Sequence, residues 1–237
     1  MKQTINKRLT IWLLTLALAV VALPALAVPA QAAEKTPVDV VFGSTTVKGE
    51  KEDLYSTRVY CENVTYTLET PKSGDSYYQA YTTWATGDVR IADTVDGKEV
   101  RRIRSGFAKG LTGKVTLGKN IRSLDYSVFS GGKLREVTIP EDSNLYRICQ
   151  YAFRACPNLV RVGVGNTDKL PSSLEIIDYY AFYESPAIKS IDLTKTKVKS
   201  IDDCTFTDCT ALASVKLPDG LTSIGHSAFK GCTALTA

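Results

Sequence analysis

Six cysteines and one histidine are the residues best suited to metal or nucleophilic chemistry in this 237-residue chain. The cysteines are Cys61, Cys149, Cys156, Cys204, Cys209 and Cys232, and the histidine is His226. Zinc sites draw on several closely spaced Cys and His ligands, so Cys204 and Cys209 with one distant His make a poor signature. A cysteine nucleophile needs a His base, and His226 occupies a position expected to be a variable, exposed one. Asp178, Asp202 and Asp203 fall at turn positions, where Asp commonly accepts from backbone N–H groups. The sequence has neither a glycine-rich phosphate loop nor a Gly-x-Ser-x-Gly elbow. These patterns assign no catalytic residue, no cofactor site and no metal site, and they point away from an enzyme.

The cysteines recur instead as part of a repeat. Five segments align: Leu124 to Phe129, Ile148 to Phe153, Ile177 to Phe182, Ile201 to Phe206 and Ile224 to Phe229. Their Phe residues fall 24, 29, 24 and 23 positions apart, with an insertion around Gly165–Ser173 behind the longer interval. Cys156, Cys209 and Cys232 share one column, where Ser185 also stands. A small inward side chain accounts for that column without a disulfide. Adjacent repeats could bring Cys209 and Cys232 within disulfide range, but parallel side chains usually hold the Cβ atoms too far apart. A degenerate copy precedes the five, at Ile103, Phe107, Leu111, Val115 and Leu117.

The shared pattern is I-x-x-x-A-F-x-x-C-x-x-L-x-x-V-x-L-P. The V-x-L part has period two and predicts a short strand with both apolar residues facing inward. The A-F-x-x-C part places Phe and Cys three apart, which predicts a single helical turn. One unit cannot cover its own apolar face, so copies must stack as a solenoid. The expected fold is therefore an α/β solenoid, a leucine-rich repeat array of short parallel strands with single-turn helical or irregular returns. These columns resemble the BspA-like leucine-rich repeat family of bacterial cell-surface and secreted proteins. The resemblance covers about Val100–Ala237 and implies an adhesion or interaction module with a protein or glycan surface ligand.

On such strands the residues flanking the inward Val point outward. They are Lys114 and Thr116, Glu136 and Thr138, Arg161 and Gly163, Ser190 and Asp192, Ser214 and Lys216. This set, Gly163 apart, is the expected ligand-binding face, and its mixed charge disfavours nucleic acid or heparin. Tyr126, Tyr146, Tyr151, Tyr179, Tyr180 and Tyr183 cluster nearby in sequence, with Tyr151 and Tyr180 expected to be half-buried. A structural spacer that projects another domain is the alternative function, and an accessory region of an enzyme is a third.

The flanks differ from the array. Met1–Thr10 is basic, Ile11–Val28 is almost wholly apolar, and Ala30-Gln31-Ala32 follows. These are the parts of a secretory signal peptide, read as residues 1–32, which implies export and no membrane span after cleavage. An uncleaved anchor is the alternative, against which two small-residue cleavage sites argue. Lys and Arg number 29 against 25 Asp and Glu, and three of the cations lie in the first ten residues, so the rest is near neutral. Residues 33–99 lack the repeat and read as a small β-rich N-terminal cap whose start, Ala33–Lys51, is flexible. Residues 100–237 form the solenoid. The pattern breaks off within its last copy, which suggests a longer protein and self-association through the uncapped C-terminal repeat.

Overall fold

The computed structural model describes residues 35–51, 57–82, 86–107 and 110–236. The signal-peptide segment and Trp84 lie outside the described residues. Eighteen strands run in chain order: β1 (Thr36–Phe42), β2 (Thr45–Lys51), β3 (Arg58–Cys61), β4 (Val64–Glu69), β5 (Tyr77–Tyr81), β6 (Val89–Arg90), β7 (Thr94–Val95), β8 (Lys98–Ile103) and β9 (Lys114–Thr116), followed by β10 (Ser123–Leu124), β11 (Glu136–Ile139), β12 (Arg147–Ile148), β13 (Arg161–Val164), β14 (Ile176–Ile177), β15 (Ser190–Asp192), β16 (Ser200–Ile201), β17 (Ser214–Lys216) and β18 (Ser223–Ile224). No helix occurs among the described residues, and none is therefore long and apolar enough to cross a membrane.

This overturns the expected α/β class: the chain is an all-β solenoid. The reason lies in the returns that carry each Phe. Ser127 and Gly131 flank Phe129 with positive φ, and so do Tyr151 and Ala155 around Phe153. The same holds for Tyr180 and Glu184, Cys204 and Asp208, and Ser227 and Gly231 around the later Phe residues. A left-handed residue every fourth position stops a right-handed helix from propagating. The amides alternate accordingly. Those of Phe153, Phe182 and Phe206 donate to Ala181, Thr205 and Ala228 of the next copy at 2.8, 2.9 and 2.8 Å. Their neighbours Ala152, Ala181 and Thr205 donate back three residues, to Cys149, Asp178 and Asp202. The spacing of Phe and Cys gave the right face but the wrong backbone.

The repeats bury their apolar residues between two walls. Ile103, Leu124, Ile148, Ile177 and Ile201 form one wall, and Val115, Val137, Val162 and Ile191 the other, all within about 1 % exposure. Between them runs a ladder of Phe rings. Phe129, Phe153, Phe182, Phe206 and Phe229 stack with centroids 5.3, 4.9, 5.2 and 5.4 Å apart, and Phe107 meets Phe129 edge-on at 6.2 Å. On one side β6, β9, β11 and β13 pair in parallel, with β15 and β17 as a separate pair. The insertion separates the two groups. Val164 donates to Lys169, and Asp192 donates to Asp168, so inserted residues take the place of a direct strand pairing.

Before the array, the described part of the stretch read as a flexible start is folded into strands. β1 and β2 form a seven-pair antiparallel hairpin. The run Val59–Leu68 is two strands, β3 and β4, divided at Glu62, whose φ is 52°. Pairing continues from β1 through β5, from β5 to β8, from β8 to β7, and from β7 back to β1. The circuit is closed, which leaves its strands no free edge. Val40, Val59, Tyr66, Ala80, Val95 and Val100 fill it. Gly49 lies where a Cβ would come within 2.7 Å of Val40 and 2.9 Å of Val59, so only glycine fits that wall. The Tyr66 hydroxyl accepts from the Ala92 amide at 3.1 Å, and burial pushes its pKa up.

Strand β8 belongs to both bodies. It closes the circuit through β5 and β7 and starts the parallel series β8, β10, β12 and β14. Gln79, Arg102, Ser123, Arg147 and Ile176 are consecutive partners in register, so one row of side chains crosses from the circuit onto the repeats.

Candidate functional site

The residues of the expected binding face fall into registered rows. Lys114, Glu136 and Arg161 are partners in register, and Thr116, Thr138 and Gly163 form the parallel row. Ser190 pairs with Ser214, and Asp192 with Lys216, beyond the insertion. Four of the five charges on these rows pair with each other. Arg161 bonds Glu136 at 2.5 Å, with the two side chains only 22 % and 29 % exposed, and Lys216 lies 3.5 Å from Asp192. Asp192 is buried and accepts from the amide and hydroxyl of Thr194. Burial pushes its carboxyl up, and the bonds from Thr194 with the Lys216 charge outweigh this and hold it below the ordinary range. Gly163 has the Thr167 carbonyl 2.2 Å from where a Cβ would sit, so the inserted turn covers this part of the row.

A groove of about 650 Å³ borders these rows, lined among others by Phe42, Arg90, Thr116, Thr138, Lys119 and Asp142. Arg90 stacks on Phe42 at 4.7 Å and pairs with Glu62 at 2.9 Å. Thr138 Oγ1 is buried without a hydrogen-bond partner among the described residues.

The opposite face carries the stronger constellation. Each arginine that precedes an inward residue reaches an aspartate that follows one in the next copy. Arg102 bonds Asp125 through Nε at 2.8 Å and Nη2 at 2.7 Å. Arg147 bonds Asp178 through Nε and Nη2, both at 3.0 Å. Arg102 places both contacts on one oxygen, Oδ2, and Arg147 divides its two between Oδ2 and Oδ1, and such two-nitrogen pairs fix the guanidinium planes. Glu99 takes Arg101 at 2.7 Å and Arg122 at 3.3 Å. The bond from Arg101 holds the Glu99 carboxyl below its ordinary value, against partial burial that pushes it up. Two adjoining grooves of about 540 and 470 Å³ run over these groups and share Arg102, Asp125, Arg147 and Cys149.

Tyrosines border this face. Tyr126, Tyr146 and Tyr179 are 56 %, 42 % and 45 % exposed, and Ile176 beside them is 38 % exposed. The other outward face contributes Leu217 alone among large exposed apolar side chains of the described residues. Tyr151 and Tyr180 are half-buried, as expected, and tie the ridge together. Tyr126 meets Tyr151 at 5.6 Å, Tyr151 meets Tyr180 at 5.4 Å, and Tyr180 meets Tyr179 and Tyr183 at 5.7 and 5.3 Å. These tyrosines stand out in the sequence, whereas Arg102, Asp125 and Arg147 do not. The signal was a charged residue on either side of the inward Ile or Leu, which is the same period-two alternation as in V-x-L.

The cysteines are free thiols built into the scaffold. Burial pushes Cys156 and Cys209 up to about 12 and Cys149 up to about 11, which keeps them protonated and poorly nucleophilic. His226 is exposed. Its backbone meets the neighbours: its amide donates to Asp203 at 2.6 Å, and its carbonyl accepts from the Cys204 amide at 3.0 Å. Asp203 thus serves a backbone N–H, as its turn position suggested, whereas Asp178 serves an arginine. Among the described residues no group of three His, Cys, Asp or Glu side chains could hold a metal ion.

Residues 99–168 and 122–237 match the sequence model of the BspA type leucine rich repeat region, with six copies. Among solved structures, the fold is similar to a leucine rich cell surface protein from Faecalibacterium prausnitzii. That protein is 17% identical, with a TM-score of 0.53, over 76% of this chain and 53% of that one. The chain therefore spans about half the length of that relative. A leucine rich repeat protein of T. pallidum is 23% identical over 72% of this chain and 87% of its own, with a TM-score of 0.49. No curated protein matches the chain significantly. The repeat match covers more than half of the residues, and the chain belongs to the BspA type leucine rich repeat family.

Proposed function

We propose that the chain is a secreted or cell-surface interaction module, exported by its basic and apolar N-terminus, that binds an extracellular protein or glycan through the face of β8, β10, β12 and β14. The observation that carries this reading is the concentration of exposed Tyr126, Tyr146, Tyr179 and Ile176 beside forked Arg–Asp pairs on that one face. Tyrosine and arginine dominate binding hot spots because they offer large contact areas and fixed donors at small entropic cost. The rows of Lys114, Glu136, Arg161, Asp192 and Lys216 are weaker candidates, because Arg161 is spent on Glu136 and Lys216 on Asp192, and Leu217 is the one large exposed apolar side chain beside them among the described residues. The similarity to a protein described as a cell surface protein supports the location.

The test is a pull-down from bacterial and host surface extracts with two variants. Tyr126→Ser, Tyr146→Ser and Tyr179→Ser together should abolish capture of whatever the native chain retains. Lys114→Ala, Glu136→Ala and Arg161→Ala together should leave that capture intact if they fold. Retention by the tyrosine variant, with loss by the second, would move the site to the other face. Absence of any saturable ligand would favour the spacer.

A further inference from the structure

We infer that the groove over β5, β8, β10 and β12 binds an extended anionic polysaccharide, a reading that rests on this face being the recognition surface. Five guanidiniums, those of Arg101, Arg102, Arg104, Arg122 and Arg147, line the two adjoining grooves. Three carboxylates answer them: Glu99, Asp125 and Asp178. Glu99 is shared between Arg101 and Arg122, and no carboxylate among the described residues pairs with Arg104, which lies 5.9 Å over the Tyr81 ring. The groove therefore keeps a local surplus of positive charge although the whole chain is near balance. The expectation against anionic ligands came from the opposite face, where Arg161 and Lys216 are neutralised.

The form of the ligand follows from the floor. Strands β8, β10 and β12 are paired on both sides, so no backbone edge is open for an added peptide strand. Recognition must come from side chains: the guanidiniums, Arg104 foremost because no carboxylate among the described residues takes it, with Gln79, the Ser123 hydroxyl oxygen and two exposed phenol rings, Tyr126 and Tyr146. Guanidinium donors suit carboxylate or sulfate oxygens. Ring faces suit the apolar faces of sugars, and Gln and Ser suit hydroxyls. Register places Arg102 and Arg147 two strands apart, about 9.6 Å, which fits charges repeated along a chain.

The experiment measures binding of the purified chain to dextran sulfate, polygalacturonate, neutral dextran and poly-glutamate across salt concentrations. Both anionic polysaccharides should bind, with affinity falling as salt rises, and dextran should not. Arg104→Gln with Arg122→Gln should weaken binding about tenfold. Lys133→Gln with Lys189→Gln removes the same charge from exposed sites elsewhere and should change little. Tyr126→Ala with Tyr146→Ala should weaken the polysaccharides. Equal losses in the arginine and lysine variants would overturn the inference, as would poly-glutamate binding that is as tight and indifferent to the tyrosines. Failure of both polyanions to bind would also overturn it. A protein recovered by the pull-down above that requires Tyr126, Tyr146 and Tyr179 would then preserve the recognition face while excluding the polysaccharide.

Discussion

The Sγ of Cys209 lies 3.1 Å from the carbonyl oxygen of Phe182 and donates to it across a repeat boundary. Cys156 and Cys232 make the same bond to Phe129 and Phe206, both at 3.1 Å, and the Ser185 hydroxyl makes it to Phe153 at 2.5 Å. The column therefore selects a small buried donor rather than sulfur as such. Cys209→Ser should stay close to the native stability, whereas Cys209→Ala should lose about 1 kcal/mol more. Urea unfolding reads the difference, and a serine variant weaker than the alanine variant would contradict the assignment.

Ala155 has a φ of 52°, a conformation that costs an L-residue about 1 kcal/mol. Gly131 and Gly231 stand at the equivalent place in other copies. Ala155→Gly should raise stability by about 0.5 kcal/mol, after the added freedom of the unfolded chain is counted. A lowered thermal midpoint would mean that the return is not left-handed there.

Phe182 is fully buried between Phe153 and Phe206, 4.9 and 5.2 Å away. Phe182→Ala should cost about 3–5 kcal/mol, through lost transfer energy and the cavity left in the ladder. A loss below about 1 kcal/mol would contradict the continuous ring stack.

The thiols predict an alkaline limit. Cys156 and Cys209 have folded values raised to about 12 from an ordinary value of 9.0, because burial disfavours the thiolate. The folded state then holds protons that the unfolded state releases. Their stabilisation is complete below pH 9.0 and declines as pH rises from there through about 12. Iodoacetamide should label Cys156 and Cys209 in the native chain far more slowly than in urea at pH 8. Equal rates would contradict their burial.

The solenoid was legible because stacking imposes strict columns. Each Ile, Phe, Leu and Val meets its own equivalent above and below, so any departure opens a cavity. The returns were not legible as turns, because Phe and Cys three apart suit a helical turn and a chain of β-turns alike. What decides between them is the φ of residues such as Tyr180 and Glu184, whose identities carry no mark of it. The candidate face was half legible. The tyrosines announced themselves, but attention to V-x-L hid Arg102 and Asp125, whose pairing spans 23 residues and depends on the register of β8 with β10. The closed circuit before the array was not legible, since its closure depends on β7, a strand of two residues.

The central claim is that the Phe amide at the centre of a return donates to the next copy rather than back into its own turn. Scalar coupling across hydrogen bonds, measured by NMR on labelled protein, tests it directly. The account predicts a coupling from the Phe182 amide nitrogen to the carbonyl carbon of Thr205, its acceptor at 2.9 Å. A coupling from Phe182 to Asp178 instead, four residues back, would restore a helical return and contradict the all-β solenoid.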